Sequence, residues 1–227
     1  ELPYFGVHYL KNYYPVKKEN TNFTENMDVF FRCSVGIMAH NEERNIGHLL
    51  ERPLRQRLEL CEIAEIIVVA RGCTDGTEEI VRKYVDANSI ICLVTEPDRL
   101  GKASAIQKFL DAAREKLLVL VGADTLPEYD AVEKLILLFA DAHIGMAGAR
   151  PVPLNAKENF CGCAVHFFWE MHHYAALRAA KCGEMVAFRK LMDTIPADVV
   201  VDEPYFAAMV QRAGFRVVYQ PEAVVYN

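Results

Sequence analysis

The 227-residue sequence contains no run of 18 apolar residues, so nothing in it predicts a transmembrane helix. It also lacks the succession of charged, apolar and small residues that marks a secretory signal peptide. No long basic run is present, and the formal net charge is −6, from 25 basic and 31 acidic residues. We therefore expect no nucleic-acid partner, because a phosphate backbone is bound through clustered Lys and Arg side chains.

The cysteines lack the spacing of redox or zinc motifs. Seven are present, an odd number, and no two are separated by the two residues of a Cys-x-x-Cys motif. Several lie in apolar segments, where free Cys behaves as a small hydrophobic residue. This usage is typical of a reducing compartment, so we expect a cytoplasmic protein, either free or at the cytoplasmic face of a membrane. The chain starts with Glu1 rather than Met, so we also expect it to be part of a longer protein.

Two phosphate-binding patterns are missing as well. Neither Gly-x-Gly-x-x-Gly nor Gly-x-x-x-x-Gly-Lys-Ser/Thr occurs at a strand-to-helix corner, which argues against a Rossmann dehydrogenase or a P-loop enzyme. The sequence instead alternates short apolar strands, predicted at 34–39, 65–70, 90–94 and 117–121, with helical segments. Such alternation predicts an α/β fold with a mostly parallel central sheet and helices on both faces.

The length and the 52% hydrophobic content suit one substantial core and are too small for two. We expect a single domain over residues 33–227. Residues 1–32 are aromatic and polar without clear periodicity, and we predict that they form an N-terminal arm packed on that domain.

The chain is organised around residues 116–127, whose sequence is Lys-Leu-Leu-Val-Leu-Val-Gly-Ala-Asp-Thr-Leu-Pro. Its apolar part predicts a strand buried on both faces. Asp124 follows where that strand ends, which is the place where α/β sheets bind ligands and where a carboxylate can hold a divalent cation. The alternative is that Asp124 shapes the turn into the next helix, because Asp-Thr-x-Pro favours turns.

Four strand-to-helix corners carry polar residues in a set order. They are residues 39–43 (Ala-His-Asn-Glu-Glu), 72–77 (Gly-Cys-Thr-Asp-Gly-Thr), 101–105 (Gly-Lys-Ala-Ser-Ala) and 123–127 (Ala-Asp-Thr-Leu-Pro). At the first of these, Asn41 suits a helix N-cap. In order and spacing the corners resemble the nucleotide-sugar half of the family 2 glycosyltransferases, whose Rossmann-like fold is called GT-A. The resemblance implies a donor-binding half at 34–127 and an acceptor half at 128–227.

The second half strengthens the resemblance. Residues 182–190 (Cys-Gly-Glu-Met-Val-Ala-Phe-Arg-Lys) are similar to the family segment near the acceptor. Counting back from Gly214 places Glu203 where the family keeps its general base, with Asp202 as the rival. The resemblance implies these further site residues: for the donor, Ala39, Asn41, Glu42, Arg71, Gly72, Asp75, Gly101, Lys102 and Ala123; for the acceptor, Gly183, Glu184, Arg189 and Trp169; and for the metal, Mn²⁺ or Mg²⁺, Asp124.

This chain also departs from the family pattern. Ala70 and Arg71 stand where two Asp residues are usual, and Gly122 replaces the first Asp of the Asp-Ala-Asp triplet. We expect Arg71 to pair with a donor phosphate. The Gln-x-x-Arg-Trp motif of processive polymer synthases does not follow Glu203, so we expect transfer of one sugar.

Several assignments have a structural alternative. Lys102 is also a reasonable solvated first-turn Lys, and adjacent acids at 202–203 also favour a helix start through its dipole. Residues 166–174 place His166, Glu170 and His173 on one helical face. They lack the zincin order, so we expect a packed helix near the acceptor.

Two functions stay open. The first is an inverting, metal-dependent glycosyltransferase that moves one sugar from a nucleotide-sugar donor to a lipid-linked or glycan acceptor, with peripheral membrane association. The second is a catalytically silent GT-A domain that binds a ligand or a protein partner.

Overall fold

The computed structural model describes residues 30–98 and 100–227. The predicted arm therefore lies outside the described residues, except for its last few positions. Residues 31–227 form one α/β unit. In chain order its elements are β1 (Phe31–Ala39), α1 (Ile46–Leu54), β2 (Cys61–Arg71), α2 (Thr77–Ala87), β3 (Ile91–Glu96), α3 (Lys102–Ala112), β4 (Leu117–Gly122), β5 (Leu126–Pro127), α4 (Ala131–Ile136), a 3₁₀ turn (Leu137–Ala140), β6 (Ile144–Val152), α5 (Phe160–Arg178), β7 (Met185–Arg189), α6 (Asp202–Arg212) and β8 (Arg216–Tyr226).

The strands make one eight-stranded sheet in the order β3-β2-β1-β4-β7-β6-β8-β5. The first four pair in parallel, as predicted. β7 is antiparallel to both of its neighbours, and the short β5 is antiparallel to β8. The prediction of an α/β domain with a mostly parallel sheet is confirmed.

The strand order reverses between β1 and β4. From β1 the chain moves outward to β2 and β3, and it then returns to place β4 on the other side of β1. Loops that leave the two carboxyl ends at such a point diverge and open a crevice. The fold therefore predicts a ligand site at this reversal.

β1 begins at Phe31, three residues before the predicted strand. The Phe31 N–H donates to the carbonyl of Leu60 at 3.1 Å, and Phe31 pairs in register with Cys61 at the start of β2. Residues 31 and 32, predicted in the arm, are thus strand residues. At the start of β1, Phe31 and Cys33 alternate with the polar residues Arg32 and Ser34. A prediction based on continuous apolar runs therefore does not include residues 31 and 32.

The core on one face of the sheet lies beneath α3 and α6. Gly36 in β1 leaves room for the ring of Phe109 in α3, because a Cβ at residue 36 would come within 2.7 Å of that ring. On the other side of this core, Phe188 of β7 stacks on Phe206 of α6 with ring centroids 4.7 Å apart. These contacts fix α3 and α6 on the sheet, and the first residue of each helix lies at the reversal of strand order.

Two local predictions were wrong. Asn41 does not cap α1, which begins at Ile46 after Asn45; Asn41 instead adopts a left-handed backbone with φ of 56°. The helix around 166–174 forms as α5, but it is not a packed helix. Within this fully described element, Gly162 and Ala176 are the two buried residues. No helix in residues 30–98 and 100–227 combines the length and the apolar content needed to cross a membrane.

Candidate active site

A cavity of about 510 Å³ opens at the reversal of strand order. Both predicted halves of the chain contribute to it. Its walls come from the carboxyl ends of β1, β2 and β4, the first turns of α3 and α6, and the start of β7. The lining residues are Met38, His40, Glu42, Arg71, Lys102, Ile106, Leu120, Val121, Gly122, Ala123, Asp124, Gly183, Glu184, Val186, Asp202 and Glu203.

An ion cluster of one half-exposed Lys and two largely buried carboxylates joins α3 to α6 at this cavity. The Lys102 ammonium lies 2.8 Å from Asp202 Oδ1 and 3.1 Å from Glu203 Oε1. The Asp202 side chain is 6% exposed and that of Glu203 is 18% exposed. Burial lowers the pKa of Lys102, but the two carboxylates outweigh burial, so the pKa lies above its usual value. Lys102 therefore stays charged and holds both candidate bases at the cavity.

Glu184 faces these carboxylates from the β7 side. Its backbone has φ of 43°, and its carbonyl accepts a hydrogen bond from the Gly122 N–H at 2.9 Å. A non-glycine residue in this conformation is uncommon and concentrates at functional sites. Burial, then the nearby charges of Asp124 and Glu203, raise the pKa of the Glu184 carboxyl. The strand end of β4 and the start of β7 are thereby tied together beside Asp124.

The cavity carries an excess of negative charge. Among its described lining residues, five are acidic (Glu42, Asp124, Glu184, Asp202 and Glu203) and two are basic (Arg71 and Lys102). Within the described residues, no three His, Cys, Asp or Glu side chains converge as a ready-made metal site. Asp124 is exposed at the end of β4. A divalent cation here would thus need ligand oxygens from a bound substrate in addition to protein carboxylates.

Gly122 departs from the family triplet at a crowded point. A Cβ at this residue would lie 3.0 Å from Asp124 Oδ1 and 3.2 Å from Thr125 Cγ2. Thr125 is buried and its hydroxyl donates to the Gly122 carbonyl at 2.7 Å. The Thr125 hydroxyl closes the turn after β4, and a side chain at residue 122 would crowd Thr125 and Asp124. Glycine at residue 122 avoids this crowding.

Arg71 and His40 lie at neighbouring strand ends. The carbonyl of Arg71 accepts a hydrogen bond from His40 Nδ1 at 2.7 Å, which orients the imidazole against the cavity wall. A carbonyl accepts only, so Nδ1 is the donor in this hydrogen bond. His40 was not among the predicted site residues, although its position directly after β1 indicates the carboxyl edge of the sheet.

Some predicted donor residues serve the loops behind the cavity instead. The Asn41 carbonyl oxygen accepts from the Thr74 N–H at 2.8 Å. Asp75 accepts from the Glu43 N–H at 3.1 Å and from the Thr77 N–H at 3.0 Å. Burial alone would raise the pKa of the Asp75 carboxyl, but its hydrogen bonds outweigh burial and lower the pKa below its usual value. These side chains lock the first two corners together.

As far as the described residues define the cavity, its lining leaves out seven predicted positions: Ala39, Asn41, Gly72, Asp75, Gly101, Arg189 and Trp169. Arg189 lies at the other edge of the sheet, because antiparallel β7 brings Met185 to the carboxyl end of β4 and Arg189 to its beginning. The guanidinium there donates to the Ile144 carbonyl at 2.8 Å. The structure does not support an acceptor-side role for Arg189.

Trp169 lies on α5, where its ring contacts its own helix. The ring centroid is 5.3 Å from that of His172 and 5.5 Å from that of Phe168. Nine predicted site residues do converge on the cavity: Glu42, Arg71, Lys102, Ala123, Asp124, Gly183, Glu184, Asp202 and Glu203.

Comparison with solved structures confirms the fold. The mannosyltransferase PcManGT from Pyrobaculum calidifontis, in complex with GDP-Man and Mn²⁺, superposes with a TM-score of 0.70 at 23% identity. The match covers 98% of this chain and 64% of that protein. The domain therefore has the GT-A fold that the sequence resemblance implied.

Curated relatives give a consistent result. The dolichyl-phosphate beta-glucosyltransferase ALG5C of Trichomonas vaginalis is 28% identical over 167 residues, which cover 65% of this chain and 49% of the relative. Glycosyltransferase AglD of Haloferax volcanii is 28% identical over 205 residues, covering 83% of this chain and 32% of the relative. The chain thus spans half the length, or less, of these relatives.

The family model described as glycosyl transferase family 2 matches residues 34–216. That range contains all four corners and the Lys102, Asp202 and Glu203 cluster. With more than half of the chain matched and the GT-A fold in place, the protein belongs to glycosyl transferase family 2.

Proposed function

We propose that this domain is an inverting glycosyltransferase that moves one sugar from a nucleotide-sugar donor to a lipid-linked acceptor. The observation that carries the proposal is the Lys102, Asp202 and Glu203 cluster, which meets Asp124 across one cavity. Cationic and acidic groups are both needed there, because the donor's diphosphate must be neutralised while the acceptor loses a proton.

The donor's diphosphate is expected beside Asp124. A Mn²⁺ or Mg²⁺ ion held by Asp124 and by the phosphate oxygens would act as a Lewis acid on the leaving group. The acidic excess of the cavity suits such an ion, and burial together with the charges of Asp124 and Glu203 raises the pKa of Glu184. Arg71, on the β2 side of the cavity, is expected to add a bidentate contact to a phosphate.

The base is expected to be Glu203. Inversion requires the acceptor oxygen to attack the anomeric carbon from the face opposite the leaving diphosphate. A carboxylate takes the proton of the attacking O–H group as the bond to the diphosphate breaks. Glu203 is more exposed than Asp202, at 18% against 6%, and it lies in the first turn of α6 just before Pro204. Asp202 then serves mainly to hold Lys102.

The lipid acceptor is supported by what related proteins act on. ALG5C is named for dolichyl phosphate, and a dodecaprenyl-phosphate galacturonate synthase of Rhizobium johnstonii is 32% identical over 92 residues. We expect the same broad class of acceptor here, and with it peripheral association with a membrane surface.

A donor-hydrolysis assay tests the proposal. The wild-type domain is incubated with UDP-, GDP- and CDP-sugars in the presence of Mn²⁺, and release of free nucleoside diphosphate is measured. Slow hydrolysis of at least one donor, lost when EDTA is added, is the expected result.

The second candidate, a ligand-binding domain without activity, is favoured by the lost carboxylates at Ala70 and Gly122. Nucleotide binding by calorimetry, with no hydrolysis or transfer from any donor, would favour it over the enzyme.

A further inference from the structure

The outward face of α5 is unusually apolar for a surface helix. Six large hydrophobic side chains on it are exposed, from 53% for Leu177 to 88% for Phe160. The set is Phe160, Phe167, Phe168, Met171, Tyr174 and Leu177. We call this set the α5 face. Clustered exposure of this kind marks an interaction surface, whereas single exposed hydrophobics are normal.

Five of the six residues lie on one side of the helix. At 3.6 residues per turn, Phe160, Phe167, Phe168, Met171 and Tyr174 fall within about 120° of its circumference, and Leu177 lies at the edge of this side. Gly162 and Ala176, the two buried residues of the helix, lie on the opposite side. Two contacts hold the helix in this orientation. Arg150 Nη2 lies 3.2 Å from Glu170 Oε1, and His173 Nδ1 lies 2.9 Å from the Tyr219 hydroxyl. Glu170 lies at the edge of the apolar side and His173 lies beyond it, so these two contacts leave Phe160, Phe167, Phe168 and Met171 facing outward.

We propose that the α5 face docks on a lipid bilayer surface. The charges around it fit such a partner. Arg178 in the last turn of α5 and Lys181 just beyond it are exposed. Glu170, the one acid in α5, is paired with Arg150. Exposed apolar side chains can enter the headgroup region of a bilayer, and basic residues beside them are attracted to anionic lipids.

The position of α5 relative to the cavity supports the same partner. Six residues after Leu177 the chain reaches Gly183 and Glu184 in the cavity wall. Exposed apolar residues also lie close in sequence to two other residues of the cavity wall. Leu100 lies two residues before Lys102, and Val201 directly precedes Asp202. A lipid-linked acceptor has its reactive head at the bilayer surface, so a docked α5 would bring the cavity to that surface. This inference rests on the lipid acceptor proposed above.

Vesicle sedimentation tests the docking surface. The wild-type domain is mixed with vesicles of phosphatidylcholine and phosphatidylglycerol at about 3:1, and the bound fraction is measured against lipid concentration. The variant carries Phe167→Gln with Met171→Gln, because Gln keeps helix propensity while it removes the apolar surface. We expect its partition coefficient to fall about tenfold or more.

Leu60→Gln provides the matched control. Leu60 is 40% exposed and precedes β2 at the amino end of the parallel strands, the edge opposite the cavity. This variant should bind vesicles like wild type. If the double variant is poorly folded, Phe160→Gln at the first residue of α5 replaces it, because that side chain is 88% exposed.

Calorimetry with nucleoside diphosphate and Mn²⁺ keeps the two proposals apart. The double variant should keep wild-type nucleotide affinity, so loss of vesicle binding alone supports docking, whatever the donor assay shows. Equal vesicle binding by wild type and the double variant would overturn the docking surface. So would a wild-type dimer in analytical ultracentrifugation that the double variant breaks, without vesicle binding by either protein.

Discussion

Lys102 and Asp202 are each the first residue of a helix, and their charged groups meet 2.8 Å apart although 100 positions separate them in the chain. The contact joins the predicted donor half of the domain to the predicted acceptor half. Because Glu203 shares the same ammonium, Lys102 positions the proposed base as well as stabilising a buried carboxylate.

Replacing Lys102 by Met should lower the free energy of unfolding at pH 7 by about 1 kcal/mol. The loss arises because Asp202 remains buried without its partner, and it is kept small because Lys102 is 45% exposed. The raised pKa of Lys102 sets the pH dependence: the ion pair stabilises the fold at pH values below about 10.5 and is lost as pH rises through the folded-state value. Urea unfolding from pH 7 to pH 11 should show wild type and variant converging at the alkaline end.

Lys83→Met is the control for that measurement. Lys83 pairs with Glu79 at 2.9 Å, but the two side chains are 69% and 76% exposed. This change should cost well under 1 kcal/mol. If Lys83→Met lowers the free energy of unfolding as much as Lys102→Met does, the cavity ion cluster stabilises the fold no more than an exposed surface pair.

Glu203→Gln should reduce the rate of sugar transfer on the order of 10²-fold or more while nucleotide affinity stays near wild type. The reason is that a general base acts on the acceptor proton in the transition state and not on the bound donor. Steady-state transfer kinetics and nucleotide titration measure the two effects separately. Asp202→Asn should slow transfer less and destabilise the fold more, and the reverse order would make Asp202 the base.

Asp124→Asn should remove the Mn²⁺ dependence of nucleotide binding and leave the fold intact. Asp124 is exposed after β4, outside the core, so its carboxylate is free for ligands. Calorimetric titration of nucleoside diphosphate with and without Mn²⁺ checks this, and thermal unfolding checks the fold. Asp130→Asn is a suitable control, because Asp130 pairs with Lys134 at 2.9 Å on α4. Unchanged metal dependence in the Asp124 variant would remove this residue from the site.

Arg71→Ala should weaken binding of nucleoside diphosphate about tenfold or more and change nucleoside binding little. Charge-assisted contacts to phosphate are stronger than neutral hydrogen bonds, and a nucleoside offers no phosphate to contact. Competition titrations with both ligands measure the difference. Arg82→Ala, which breaks a surface pair with Glu78 in α2, should affect neither ligand. Equal losses for both ligands in the Arg71 variant would contradict the phosphate role.

The sequence by itself determined the first half of the domain. The apolar residues of Leu117–Gly122 predicted a strand buried on both faces, and the parallel alternation of strands and helices predicted that Asp124 would lie at the carboxyl edge of the sheet, where the cavity is. The family resemblance added Lys102, Asp202 and Glu203, and the structure brings these three residues together. Local periodicity and motif order suffice for such features because each is encoded within one strand-helix unit.

Only the tertiary structure decided which residues of the second half reach the cavity. Glu184 and Arg189 lie in one short motif, yet β7 runs antiparallel to β4, so Glu184 enters the cavity and Arg189 lies at the opposite edge. Strand direction depends on where the preceding connection places the chain, which no local pattern records. The same holds for α5: its sequence is apolar on several sides, and the packing of Gly162 and Ala176 against the domain decided which apolar side faces outward.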